Sequence, residues 1–196
     1  MSRTCCRRAL AAIALVGVFA GCSSPNPLLF TVAPVPGSPQ GRGPNIIVLQ
    51  PIALARYLER SEIVRSSENY RLDVMSNDWW GEPLSAMLSR VLIEEMSQRL
   101  PQSTVLPSSG AVSVTPDATV ELNVQRLDED AAGRLVLLAQ ASVEFKGRGV
   151  PIVRSFNFTQ APPTLDISGE VAAISTAVGQ LADGLTSMLQ AGPMRR

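Results

Sequence analysis

The sequence predicts an α+β fold, in which two helices pack on one face of a mostly antiparallel sheet. Apolar and polar residues alternate between positions 119 and 158, which predicts antiparallel strands with one buried face. The segments 84–96 and 171–188 instead repeat their apolar residues at helical spacing. Proline and glycine are concentrated before position 45, so the folded domain is expected to begin there.

Two strands and a helix are predicted in the first half of the domain. The apolar run 45–49 is typical of a buried strand, and the segment 70–74 alternates as a half-buried strand does. The helix is indicated by an apolar stripe of Leu84, Leu88, Val91, Leu92 and Met96. Pro83 fits only in a first helical turn, so we expect the helix to begin near Gly81 or Glu82.

Three strands of a meander are predicted next. Alternation over 119–125 indicates the first strand, and every second residue from Leu135 to Phe145 is apolar on the second. A polar turn from Asp128 to Gly133 is expected between them. A turn at 147–149 then leads to a third strand that carries Ile152, Phe156 and Phe158.

The last predicted element is a helix that Ser168 caps and that ends near Gln190. Its apolar stripe consists of Val171, Ile174, Val178, Leu181, Leu185 and Met188. Its other face, which includes Ala173 and Gln180, is poorer in charge than a solvent-facing helix usually is. That face is expected either to bury against a second copy of the chain or another protein, or to be a plain neutral surface.

The residue types that are missing exclude several classes of enzyme. Histidine is absent, which rules out Ser-His-Asp and Cys-His catalysis and imidazole metal sites. The three cysteines all lie in the first 22 residues, so no thiol remains downstream. Three of the 17 basic residues also precede position 22, which leaves 14 against 17 acidic residues and argues against nucleic-acid binding. A non-enzyme without a cofactor is therefore expected.

The N-terminus is typical of a signal peptide. Three arginines precede an apolar run over residues 9–20, which at about 1.5 Å per residue is far shorter than the ~30 Å membrane core. The run ends in Phe19-Ala20-Gly21-Cys22, which resembles the bacterial lipobox. The resemblance implies that Cys22 is acylated and becomes the first mature residue; the alternative is an ordinary secretory signal. Ser23 in second place implies sorting to the periplasmic face of the outer membrane.

Three regions are therefore expected along the chain. Residues 1–21 form the signal peptide, residues 22–44 the lipidated N-terminus and Pro/Gly-rich tether, and residues 45–192 a single α+β domain. Within the tether, the segment 28–32 is apolar enough to add a short strand to the sheet, which would leave only residues 23–27 as the free tether.

Several segments resemble one family of lipoproteins. Leu29–Val32 resembles its short aromatic strand, Leu54–Arg60 with the following Ile63-Val64 resembles its P-x-Y-L-D-R-x-x-I-V segment, and Trp80–Leu84 resembles its R-W-A-E-P-L helix start. This is the PqiC/YmbA family, the auxiliary lipoprotein component of ABC-type transport systems with MCE proteins. The resemblance implies a partner with an MCE domain and a role in lipid transport between membranes or in envelope integrity.

Four residues outside the final helix could either contact a partner or pack in the hydrophobic core. Tyr57 and Arg60 lie in a loop that could dock a partner, but a packed crossover with Tyr57 and Leu58 in the core is favoured, because an apolar pair needs no partner to be explained. Trp80 lies at i−4 from Leu84 and is expected in the core, whereas Trp79 is the better surface candidate. The acidic run from Asp128 is expected to be a solvated turn rather than a calcium or glycosidase site.

The sequence thus predicts an outer-membrane lipoprotein that docks or gates an MCE-type ABC lipid transporter and has no catalytic centre. A structural lipoprotein that chaperones an outer-membrane protein or complex is the alternative. The partner-contact candidates are Tyr57, Arg60, Trp79, Ala173 and Gln180, and the chain is expected to form a homo-oligomer.

Overall fold

The computed structural model describes residues 26–147 and 149–192. The predicted signal peptide, Cys22 and Ser23 lie outside these ranges, as does Arg148 of the second predicted turn. Nine strands, two α-helices and one short 3₁₀ helix (Arg56–Leu58) occur within the described ranges. The strands are β1 (Leu28–Phe30), β2 (Ile46–Leu49), β3 (Ala53–Leu54), β4 (Glu62–Ser66), β5 (Asp73–Trp80), β6 (Thr104–Pro107), β7 (Ala118–Glu129), β8 (Leu135–Phe145) and β9 (Ile152–Gln160). The helices are α1 (Leu84–Arg99) and α2 (Ile167–Gln190), and neither is long and apolar enough to cross a membrane.

The α+β fold class is confirmed, but the sheet is mixed rather than mostly antiparallel. Strand β7 runs antiparallel to β8, which pairs with β9 in the same way. Along its other edge β7 pairs in parallel with β2, β3 and β4. Strands β5 and β1 extend the sheet beyond β4, and β6 extends it beyond β2. Alternation identifies the buried face of a strand but not its neighbour, so these parallel pairs were not predicted.

The core lies between one face of the sheet and the two helices. Every second residue of β8, from Leu135 to Phe145, is buried as predicted, and so is the predicted stripe of α2. The predicted stripe of α1 is buried in the same cluster. The two helices also contact each other, so α2 meets the sheet on one side and α1 on another.

The first hairpin turn begins two residues later than predicted. Asp128 and Glu129 belong to β7 and are buried, so the expectation that they are solvated turn residues is wrong. The turn begins at Asp130, whose backbone N–H donates to the Arg134 carbonyl at 2.8 Å. Gly133 in this turn has a φ of +70°, which favours glycine.

Three other element boundaries differ from the prediction. Strand β5 begins at Asp73 rather than Tyr70, because Tyr70 has a φ of 61° and lies in a turn. Helix α1 begins at Leu84, with Pro83 in the capping position before it. Helix α2 is capped by the Asp166 carboxylate, which accepts a 2.9 Å hydrogen bond from the Gly169 N–H, and not by Ser168.

The proline-rich segment 31–42, termed the strap, lies across both helices. Its backbone N–H groups donate to helix side chains, since a segment this rich in proline cannot form a continuous ladder. Ala33 donates to the Ser175 hydroxyl at 3.1 Å, and Val35 donates to the Glu95 carboxylate at 2.7 Å. The strap thus covers the side of α2 that carries Ser175 and Gly179, while Thr176 and Ser187 of this helix remain exposed. Before it, Leu28–Phe30 adds the short strand that the sequence predicts.

Candidate functional site

A cleft of about 520 Å³ opens between the loop after β3 and the start of α1. One wall includes Glu59, Arg60 and Ser61, and the other runs from Trp80 to Ser85. These walls come from the two longest segments of the family resemblance, which are distant in sequence. The fold therefore brings Leu54–Arg60 and Trp80–Leu84 together at one site.

Backbone hydrogen bonds of the sheet fix both walls of the cleft. The Trp80 N–H donates to the Ser61 carbonyl at 2.7 Å, which joins one wall to the other. The Gly81 N–H donates to the Phe30 carbonyl at 2.9 Å, so the end of β1 supports the second wall. The Ala55 N–H donates to the Val124 carbonyl at 2.9 Å and holds the loop against β7. The cleft is consequently a preformed feature of the fold.

The floor of the cleft is apolar and its rim is charged. Trp80 is 7% exposed and forms part of the floor with Leu84. On the rim, Arg60 lies 3.3 Å from Glu62 and Glu82 lies 2.8 Å from Arg90. Exposed pairs of this kind contribute little stability and exchange partners at low cost. The arrangement suits a protein segment with an apolar anchor between charged residues.

Tyr57 holds the loop that carries the first wall. Its hydroxyl donates a 2.7 Å hydrogen bond to the buried Asp128 carboxylate, whose other oxygen accepts from Arg126 at 2.8 Å. Burial, and then the bond to Asp128, raise the pKa of the Tyr57 phenol. Tyr57 is therefore a protonated donor within the chain, and with the buried Leu58 it forms the packed crossover that was one of the two interpretations. As a partner contact it would act only through its exposed part.

A buried carboxyl lies next to this network at the start of α2. Glu170 is 1% exposed, and neither of its carboxylate oxygens has a hydrogen-bond partner among the described residues. Burial, with a smaller contribution from the charge of Glu129, raises the pKa of Glu170 to about 8. Arg65 pairs with Glu129 at 3.2 Å. Glu170 is thus mostly protonated at neutral pH.

The remaining predicted contact residues fall into two groups. Arg60 lies on the rim of the cleft, and Trp79 is half-buried on β5 beside it. In α2, Ala173 is buried, so its predicted place on an exposed face is wrong. The Gln180 side chain accepts a 2.8 Å hydrogen bond from Gln160. The charge-poor face of α2 is buried at Ala173 and Ser175 but exposed at Thr176 and Ser187, so a homo-oligomer that uses this face stays a prediction.

The sequence reasoning missed two buried charges under the strap. Arg99 of α1 is 2% exposed and donates to Asp183 at 2.5 Å and to the Gly179 carbonyl at 3.0 Å. Glu95, one turn earlier, accepts the bond from the strap, and burial raises its pKa. Glu95 and Arg99 continue the apolar stripe of α1 toward its C-terminal end. A charged residue at a buried position of a stripe indicates a buried hydrogen-bond or ion-pair partner. Glu170 is likewise a charged residue at a buried position in line with the apolar stripe of α2.

Comparisons with known proteins place this geometry in a family. Residues 28–185 match a family model described as the ABC-type transport auxiliary lipoprotein component. The sequence has no significant match among curated proteins. A crystal structure of an uncharacterized protein superposes with a TM-score of 0.70 at 15% identity, covering 83% of this chain and 97% of that one. Protein XCC0632 from Xanthomonas campestris, a DUF330 protein, gives a TM-score of 0.63 at 18% identity, covering 83% and 96%. These two likenesses show the fold.

Proposed function

Since this chain belongs to the family of ABC-type transport auxiliary lipoprotein components, we propose that it docks or gates an MCE-type ABC system that moves lipids between membranes. It would thereby support envelope integrity. The observation that carries this proposal is the cleft, because the two longest segments that resemble the PqiC/YmbA family form its walls. The partner would be the MCE-domain protein of the transporter.

The chemistry of the cleft favours binding over catalysis. Its polar residues are charged rim pairs and serines, and the sequence contains no histidine to activate a serine. Within the described ranges no group of three or more acidic residues is placed to hold a metal ion. An apolar floor within a charged rim is typical of a protein contact. The proposed role therefore requires neither a cofactor nor a catalytic step.

The proposal includes a lipid anchor on Cys22 and a place on the periplasmic face of the outer membrane. Two or three acyl chains hold a protein on a bilayer far more firmly than one. Pro27 precedes β1 directly, so an anchor on Cys22 would hold the cleft close to its membrane. A docking component needs this position if its partner reaches toward the same membrane.

Replacing Cys22 is expected to abolish membrane attachment. In Cys22→Ala the thiol that receives the lipid is missing, so palmitate labelling and retention in the membrane fraction should both be lost. The matched variant Ser23→Asp keeps the thiol and changes the sorting residue, so it should be acylated but remain at the inner membrane. Density-gradient fractionation with palmitate labelling distinguishes the two variants. A Cys22→Ala protein that still labels and sediments with membranes would show that the anchor lies elsewhere.

Blocking the cleft is expected to weaken transporter binding without unfolding the chain. Ser61 is exposed and lines the cleft, so Ser61→Arg fills its mouth and changes stability by less than about 1 kcal/mol. Affinity for the MCE-domain protein should fall by at least about tenfold, a loss of ~1.4 kcal/mol. Ser155→Arg adds the same side chain to an exposed position of β9 and should bind like the wild type. Equal affinities of both variants, measured by a pull-down and by interferometry, would remove the cleft from the binding surface.

A further inference from the structure

Strand β1 presents two neighbouring leucines to solvent. Leu28 is 58% exposed and Leu29 is 66% exposed, although both belong to a strand. The strand lies at an edge of the sheet, where exposed apolar side chains are usually avoided. The other large apolar residues that are exposed in the described ranges lie in loops or singly: Tyr70, Leu72, Val112, Val150, Val153 and Leu165. The exposure of two neighbouring leucines on an edge strand therefore indicates that this edge contacts something outside the domain.

A tryptophan extends the apolar surface on the Leu29 side of this edge. Trp79 is the direct neighbour of Leu29 in the parallel pairing of β1 with β5, so the two side chains share a face of the sheet. Trp79 is half-buried, and its indole N–H donates to the Ser76 carbonyl at 3.2 Å. Tryptophan is enriched where a protein meets the boundary between lipid and water. Because successive side chains of a strand alternate, Leu28 projects from the same edge toward the other face of the sheet. Leu28, Leu29 and Trp79 therefore line both sides of this edge and are termed the edge patch.

The position of the edge patch in the chain identifies its partner. A chain extends by at most about 3.6 Å per residue, so Leu28 lies within about 22 Å of Cys22. We propose that the edge patch rests in the interfacial layer of the bilayer that holds the lipid on Cys22, a contact that depends on the proposed acylation. Such a short tether would keep the edge patch next to the bilayer at all times. A strand of another protein could pair with β1 only by displacing the bilayer from this edge.

The contact would set the orientation of the domain. Asp78 is the partner of Leu28 in β5, so its carboxylate must remain among the headgroups, and the contact is shallow. Phe30 at the far end of β1 accepts a hydrogen bond from Gly81 of the cleft and lies about 7 Å beyond Leu28, at ~3.3 Å per residue. Resting the edge patch on the bilayer therefore fixes the direction in which the cleft faces. The acyl chains would attach the protein to the bilayer, and the edge patch would set the orientation of its domain.

Spin labelling of the full-length acylated protein tests the edge patch directly. If Cys5 and Cys6 leave with the signal peptide and Cys22 is acylated, Leu29→Cys provides a single reactive thiol. Val153→Cys is the matched control, because Val153 is an exposed apolar residue on the edge strand β9. Each labelled protein is reconstituted into vesicles of phosphatidylethanolamine and phosphatidylglycerol. Collision rates of the label with oxygen and with a water-soluble nickel complex then report its depth.

The oxygen-to-nickel collision ratio should be at least ~3-fold higher for the label at position 29 than for the label at position 153. Equal ratios in acylated protein would overturn the edge patch and leave the proposed anchor intact. A label at position 29 that is shielded from both agents would indicate a protein occupant and would also overturn it. The intact mass of each sample reports acylation separately. Absence of acylation would refute the anchor, and the edge patch proposal would fail with it.

Discussion

Glu170→Gln is expected to make the protein more stable than the wild type at pH 8, by about 4 kcal/mol, and equally stable near pH 4. The pKa of Glu170 is raised from 4.5 to about 8 in the folded protein, chiefly by burial. Above pH 4.5 the unfolded chain releases this proton while the folded chain retains it, so the wild type loses stability up to about pH 8. Each pH unit in that window costs about 1.4 kcal/mol. Glutamine stays neutral in both states and removes this penalty.

Urea unfolding at pH 4, 6 and 8 measures the effect of Glu170→Gln. The control is Glu144→Gln, which changes an exposed carboxylate on β8 and should follow the wild type at every pH. If the stability curves of the wild type and Glu170→Gln ran parallel from pH 4 to pH 8, folding would not raise the pKa of this carboxyl. The protonated state inferred for Glu170 would then be wrong.

Trp80→Ala is expected to lower the free energy of unfolding by about 3–5 kcal/mol, as truncation of a buried tryptophan does. Trp80 is 7% exposed and packs in the core at the end of β5, where its backbone pairs with Ser61. The control is Trp79→Ala. Because the Trp79 side chain is half-buried and its indole N–H bonds to a nearby carbonyl, that of Ser76, its truncation should cost clearly less. Chemical unfolding of both variants at one pH gives the comparison.

The outcome for Trp80→Ala also separates stability from binding. Loss of transporter binding with an unchanged melting temperature would show that Trp80 is an interface residue and not a core residue. The Trp80 side chain would then not be buried in the core of the protein in solution. A loss of stability in Trp79→Ala as large as that in Trp80→Ala would contradict the half-buried position of Trp79 on β5.

Elements with a long regular period were predictable from the sequence. Strand β8 and helix α2 each bury one continuous row of side chains, so the row itself marks the element. Strands β3, β4 and β6 were not predicted, because two to five residues are too few for a period to be recognised. Their parallel pairing with β7 or β2 also depends on connections that alternation does not encode.

The site was predictable in parts but not as a whole. Leu54–Arg60 and Trp80–Leu84 were singled out separately, and only the pairing of β4 with β5 brings them to one cleft. Trp80 was predicted in the core for the wrong reason, since it ends a strand and does not belong to α1.

The charge-poor face of α2 led to the wrong expectation for Ala173. A helix covered on several sides needs few charges whether its cover comes from another subunit or from its own chain. The composition of the helix cannot distinguish the two. Here the cover comes from the same chain: Ala173 belongs to the hydrophobic core, and the strap covers Ser175. The proline content of the strap had suggested a free tether instead.

Docking of the MCE-domain protein in the cleft is tested most directly by photo-crosslinking in living cells. A photoreactive residue replaces Arg60 on the cleft rim, and in a second strain it replaces Arg154, which is exposed on β9. Ultraviolet light should join the chain to the MCE-domain protein from position 60 and not from position 154. A position-60 adduct with an outer-membrane protein under assembly, or no adduct with the MCE-domain protein, would contradict the proposed function.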